Sequence, residues 1–196
     1  ACPVLLSNGN LVDEGLLPYG WAPELAVAAQ HHAEDLATYQ FAAHIGSDGS
    51  SPEQRIALTH YGAWADQAVT GESIWSGAGT VQDAFAWFSA DAAHRATLLD
   101  PQFREVGIGL ATDTEGRLYC VLNFGARPNV LPLFINDGAT TTESPQVALR
   151  LANETVYPQG QGIAAMGRPV EMRLSNDGDF STVDWQPWES LVAWTL

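Results

Sequence analysis

The sequence contains no lysine; all eight of its basic residues are arginine. That excludes chemistry needing an ε-amino group: the phosphate-binding lysine of a P-loop, a Schiff base, a Ser-x-x-Lys nucleophile. Positive charge of any kind is scarce, with 8 Arg against 23 Asp plus Glu and a formal net charge of −15. So acidic a chain repels phosphate backbones, which excludes nucleic acid as a partner. No apolar run approaches the ~18 residues of a transmembrane helix. Neither an initiator Met nor a signal peptide opens the sequence, which reads as a processed or trimmed chain. Cysteine is reduced to Cys2 and Cys120. Three readings of the pair stand open. One is a Cys2–Cys120 disulfide in an oxidising compartment, worth about 4–5 kcal/mol in the chain-entropy model for so long a loop. The second is two free thiols, and the third is a lipid-modified Cys2.

What the sequence does have is core-forming material. It is 46% hydrophobic over 196 residues, enough for one ordinary domain and a smaller second one. The first twenty residues are punctuated like a loop by Cys2-Pro3, Asn8-Gly9-Asn10 and Pro18-Tyr19-Gly20. Pro23 and Glu24 open a helix whose apolar positions follow helical spacing to about Ala43. Ser51-Pro52-Glu53 starts a second helix running through Leu58, and Thr80-Val81-Gln82-Asp83 a third that carries Trp87 into the core. A short helix follows from His94 to Leu99. The period then changes. Val106–Thr112 and Leu118–Phe124 read as two strands of a hairpin around Asp113-Thr114-Glu115-Gly116. Helices followed by an antiparallel hairpin predict an α+β layered domain.

Five histidines are few enough to weigh singly. His32 shares the apolar helix face and reads as a core histidine, whereas His31 faces water; His60 has no evident partner. His44 stands at a helix C-terminal end before a Gly-Ser-Asp-Gly loop, and His94 opens a helix. Glu72 lies between them. Two His and one Glu from three segments can form a metal site with open positions, or they can hydrogen-bond across a cleft and hold its loops together.

The surrounding residues resemble a known family. His44-Ile45-Gly46-Ser47-Asp48-Gly49-Ser50-Ser51-Pro52-Glu53-Gln54-Arg55-Ile56 is similar to a bacterial signature of the CAP superfamily, also called SCP-like after cysteine-rich secretory proteins, antigen 5 and pathogenesis-related 1. Gly71-Glu72-Ser73-Ile74 looks like its Gly-Glu-Asn-Ile motif. Trp87 and the stretch from His94-Arg95 to Val106-Gly107-Ile108-Gly109 match its Trp to His-Arg to Ile-Gly-Val-Gly segment, and Leu118 to Gly125 its closing strand. The resemblance covers roughly residues 16–127. It implies an α-β-α sandwich with a central cleft lined by His44, Glu72 and His94, which in many members can hold zinc. Ser73 replaces the usual Asn. The family's second Glu is missing, with Ser89 or Ala90 at its place and Asp91 beside it. Ser47, Ser73, Asp91 and Glu72 are therefore expected around the two histidines. Two imidazoles and water make a modest zinc site, weakening below about pH 6 as the histidines protonate.

Trp64 and Trp75 flank Glu72 along a Gly-rich loop running from Gly71 to Gly79 and read as loop anchors or as the lining of a ligand cleft. Beyond Gly125-Ala126-Arg127-Pro128 the alternation in Val147–Leu151, Val170–Ser175 and Leu191–Leu196 predicts a β module. Phe134–Ala139, Met172–Phe180, Trp185–Trp188 and Trp194–Leu196 resemble a bacterial immunoglobulin-like repeat that stops short of its last turn and strand. The implied organisation is a CAP domain over 1–128 and an Ig-like β-sandwich module over 129–196, truncated, with a sheet edge open to pairing. Two functions follow. The first is an extracellular binding or interaction protein, secreted or surface-associated, for an unidentified small-molecule, lipid, peptide or glycan ligand. The alternative is a metal-dependent hydrolase acting on peptides or glycans, with Glu72 as general base.

Overall fold

The computed structural model describes residues 19–61, 69–100, 102–127, 133–139, 141–151, 169–177 and 179–196. Strand β1 (Gly20–Trp21) leads into α1 (Pro23–Tyr39) and α2 (Pro52–Leu58); β2 (Val69–Gly77) is followed by α3 (Val81–Ala90), α4 (Ala92–Leu98), β3 (Glu105–Thr112) and β4 (Leu118–Ala126). The four strands form one sheet in the order β1-β3-β4-β2. β3 and β4 are the expected hairpin, pairing Glu105 with Gly125 through Thr112 with Leu118.

The helices start where short-range hydrogen bonding starts them. Ser51 and Gln54 close a reciprocal capping box on α2, and Thr80 and Asp83 do the same on α3. Asp91 caps α4, accepting from the N–H groups of Ala93 and His94. α1 stops at Tyr39, short of the expected Ala43, because Gln40 turns left-handed (φ 53°) and returns its N–H to the Leu36 carbonyl. His44 consequently lies in the following loop and not at a helix end.

Alternation sorts the sheet's side chains into two layers. Leu25, Ala28, Ala29, His32, Ala33 and Leu36 form the buried stripe of α1, which lies on β3 and β4. The close approach depends on glycine. A Cβ on Gly107 would stand 2.0 Å from the Ala26 backbone nitrogen, and one on Gly109 would stand 2.2 Å from the Ala29 carbonyl. Gln30 completes the fit, its amide donating to the Leu110 carbonyl at 3.0 Å and accepting from the Leu110 N–H at 3.0 Å. On the other face Ala84, Phe88, Leu98, Phe103, Val106, Cys120, Leu122 and Phe124 pack together beneath α3 and α4. The described residues from Gly20 to Ala126 are thus layered helix–sheet–helix.

Three expectations are corrected here. Gly71–Gly77 belongs to a nine-residue strand, paired with β4 from Val69–Ala126 to Gly77–Leu118, and not to a Gly-rich loop. Trp87 is 42% exposed and Phe88 takes the core position, one step along the helix. Of the stretch 170–175 only Glu171–Met172 is strand. Trp64 and Cys2 lie outside the described residues; Cys120 is buried in the core.

Beyond residue 132 the described residues form two small sheets. β5 (Leu133–Ile135), β6 (Gln146–Leu151) and β9 (Leu191–Thr195) pair antiparallel in the order β5-β6-β9, and β7 (Glu171–Met172) pairs with β8 (Gln186–Pro187). Arg173 lies over the ring of Trp185 at 4.3 Å and that of Phe180 at 5.7 Å.

Candidate functional site

Glu72 sits midway along β2, and strand alternation turns its carboxylate to the α1 layer while Ser73 turns to the opposite face. Its side chain is 2% exposed, and both oxygens are engaged. Oε1 accepts from His44 Nδ1 at 2.9 Å. Oε2 accepts from an Arg55 guanidinium nitrogen at 2.9 Å. The Asn123 amide, turned so that each end meets a complementary group, adds a second donor to Oε2 at 3.1 Å, the third on the carboxylate, and accepts from the Ala29 N–H at 3.1 Å. A carboxylate can only accept, so Nδ1 of His44 carries a proton and is the donor. The imidazole is 57% exposed: one edge is held and the other presented.

Arg55 is the residue that builds this arrangement. It is 9% exposed and donates to the Ser50 carbonyl at 2.8 Å, the His44 carbonyl at 2.9 Å and Glu72. The 44–50 loop is thereby tied to β2 through α2. Asp35 ties the same loop to α1, taking the Ser47 N–H at 2.8 Å and the Ser47 hydroxyl. Ser47 is thus bonded to Asp35 and not to Glu72. His32, fully buried, donates from Nε2 to the Ala43 carbonyl at 2.9 Å. Burial holds its pKa below the ordinary 6.5, against the raising influence of Glu72, so it is neutral and its Nδ1 is a lone pair. That atom has no hydrogen-bond partner among the described residues.

His94 belongs to a different cluster. Its Nδ1 donates to Asp91 Oδ1 at 2.7 Å, and its ring packs 4.5 Å from Trp87 and 5.5 Å from Phe88, in the α3–α4 layer. The hydrogen bond from His94 holds the Asp91 carboxyl below its usual range, with the α4 backbone N–H groups assisting. Ser73 is buried, and its hydroxyl has no hydrogen-bond partner among the described residues. The structure therefore joins His44 to Glu72, pairs His94 with Asp91, and leaves Ser47 and Ser73 out of both pairs.

Among the described residues no group of three or more His, Cys, Asp or Glu side chains is placed to hold a metal ion. His44 and His94, the two expected ligands, stand in separate clusters, His44 on Glu72 and His94 on Asp91. Three residues complete the cluster that the sequence motifs do not single out as site residues. Arg55 is the lone cation of its helix, a signal in so acidic a chain, and Asn123 is a polar residue in a strand otherwise apolar on both faces. Asp35 carried no signal.

A groove of about 760 Å³ adjoins the cluster, running between α1 and α2 and sharing His32, Arg55 and Ser47 as part of its wall.

The chain belongs to the CAP family: the model described as "CAP: Cysteine-rich secretory protein family" matches residues 13–124, more than half of the sequence. Solved structures agree on the fold. An outer surface protein from Borrelia burgdorferi superposes with a TM-score of 0.53 at 19% identity, covering 62% of this chain and 86% of its own. An extracellular protein containing an SCP domain, from Bacillus anthracis, gives a TM-score of 0.53 at 20% identity, covering 60% of this chain and 37% of its own. The match spans little more than a third of that second protein. Among curated proteins, none matches this chain.

Proposed function

We propose that the protein is an extracellular or surface-associated CAP-domain binding protein, in which His44 is a recognition group held out to a ligand by Glu72 and Arg55. The observation carrying this reading is the buried carboxylate of Glu72, with three donors on its two oxygens. With His44 on one oxygen, and Arg55 and the Asn123 amide on the other, it is an anchor for an imidazole and not a base poised to take a proton from water. The hydrolase alternative accordingly has no free general base at Glu72. Zinc has a weak place in this reading, since an ion at His44 would have one imidazole nitrogen and water. The lysine-free, strongly acidic composition and the printed settings of the two neighbours, outer surface and extracellular, favour a location outside the cell. The strands beyond residue 132 are read as an Ig-like module that presents the CAP domain.

The test compares the full chain with His44→Ala and Glu72→Gln in two assays: zinc chloride titration by calorimetry, and turnover of fluorogenic peptides and peptidoglycan fragments with zinc present. No turnover by any of the three, and zinc binding no tighter than millimolar, are the results expected. Turnover by the full chain that both substitutions abolish would overturn the binding reading, and micromolar zinc binding lost in His44→Ala would restore the metal site.

A further inference from the structure

The groove between α1 and α2 differs in character from the His44–Glu72 contact beside it. It runs from Pro23 to Tyr39, the whole of α1, about 24 Å at 1.5 Å per residue. Three large apolar residues line it and remain open to solvent: Val27, Tyr39 and Leu58, the last 79% exposed. Three carboxylates stand among them, Glu24, Asp35 and Asp48. The one guanidinium in the wall, Arg55, is already spent on Glu72 and two carbonyls. Hydrogen bonds from the Ser50 hydroxyl and N–H hold Asp48 below the usual carboxylate range. Two polar atoms in the wall also lack hydrogen-bond partners among the described residues: the lone pair at Nδ1 of fully buried His32, 3.9 Å from Asp35 Oδ2, and Oε2 of Glu24. Both atoms accept, and neither can donate to the other. The groove is therefore long, apolar in part and negative in sum.

We propose that this groove captures a basic, amphipathic polypeptide segment from a partner protein, its apolar side chains against Val27, Leu58 and Tyr39 and its Lys or Arg heads on Glu24, Asp35 and Asp48. Charge complementarity selects the sign: a chain with net charge −15 draws cations, and this groove holds carboxylates facing apolar surface. Length selects a polypeptide over a small cation, since about seven extended residues span 24 Å. The proposal deepens the binding reading and rests on it.

The probe is a fluorescein-labelled peptide of alternating Leu and Lys, titrated with the full chain and followed by anisotropy at low and moderate salt. An otherwise identical peptide with Glu in place of Lys is the comparison. The Leu–Lys peptide should bind and the Leu–Glu peptide should not. Leu58→Ser should weaken binding about tenfold, through lost apolar contact with no buried group disturbed. Glu24→Gln with Asp48→Asn should weaken it by a similar factor and flatten its salt dependence. Glu115→Gln with Glu143→Gln removes the same formal charge from exposed positions that do not line the groove, and should leave binding unchanged. Equal losses in the two double variants would reduce the effect to bulk charge and overturn the groove. So would an unaltered affinity in Leu58→Ser, or no binding at all. The turnover assay above tests the binding reading separately, so a failed peptide titration without turnover sinks the groove alone.

Discussion

Arg55→Met should be among the most damaging single changes outside the hydrophobic core. The guanidinium is 9% exposed and its partner Glu72 is 2% exposed, so the pair is out of reach of the solvent screening that makes surface ion pairs nearly worthless. Methionine keeps the aliphatic bulk and removes the charge. Glu72 then remains buried as an anion with His44 and Asn123 as donors, and the carbonyls of Ser50 and His44 each lose their Arg55 hydrogen bond. Breaking one side of a buried pair costs about 3–5 kcal/mol. For a chain of this size that corresponds to a fall of roughly 6–20 °C in melting temperature. Glu72→Gln should cost a comparable amount, because it strands the arginine instead. The double variant should cost well under the sum, with a coupling energy of about 2 kcal/mol or more, since neither charge is then left alone. Urea unfolding followed by the fluorescence of the seven tryptophans measures all four corners of the cycle. A loss of less than about 1 kcal/mol in Arg55→Met, or additive losses in the double variant, would refute the account of Glu72 as a clamped anion.

Two other outcomes follow from the packing and the titrating groups. Gly109→Ala places a methyl 2.2 Å from the Ala29 backbone, where neither partner can swing away, so it should cost about 3 kcal/mol and leave a visibly lower thermal midpoint; an unchanged midpoint would mean that α1 does not sit where the glycines allow it. His32 is buried neutral with its pKa held below 6.5, so the unfolded chain binds its proton first. The stability contributed by His32 is complete above pH 6.5 and is lost as pH falls below it toward the folded-state value. The urea midpoint should fall between pH 6.5 and about pH 5, before the carboxylates titrate, and His32→Gln should flatten that part of the profile. A profile identical in the variant would place the acid sensitivity elsewhere.

Much of the helix–sheet–helix part could be read along the chain because its signals are local. Pro23, the Ser51–Gln54 box and the Thr80–Asp83 box are each decided within four residues, and the helices begin where these groups lie. The β3–β4 hairpin is short-range as well. β2 was missed for the opposite reason. Gly71, Ser73, Ser76 and Gly77 have weak strand preference, and the segment is extended because nine residues of β4, about fifty positions away, supply its partners. The error at Trp87 is one of helical phase. Adjacent aromatics satisfy the period almost equally, and only the position of the sheet decides that Phe88 goes in and Trp87 stays out.

The same division holds for the site. The amino-acid order alone determined the family and the chemical types at hand: imidazoles, a glutamate, no lysine and an excess of negative charge. It could not say which of these groups meet. Asn123 and Glu72 are fifty-one positions apart, and Arg55 and Glu72 seventeen, yet they touch because alternation along β2 and β4 turns them to the layer where α1 and α2 lie. Ser73, one residue on, is turned away by the same pleat. Which face a strand residue occupies is set by the pairing register of the whole sheet, a long-range property that no short motif contains.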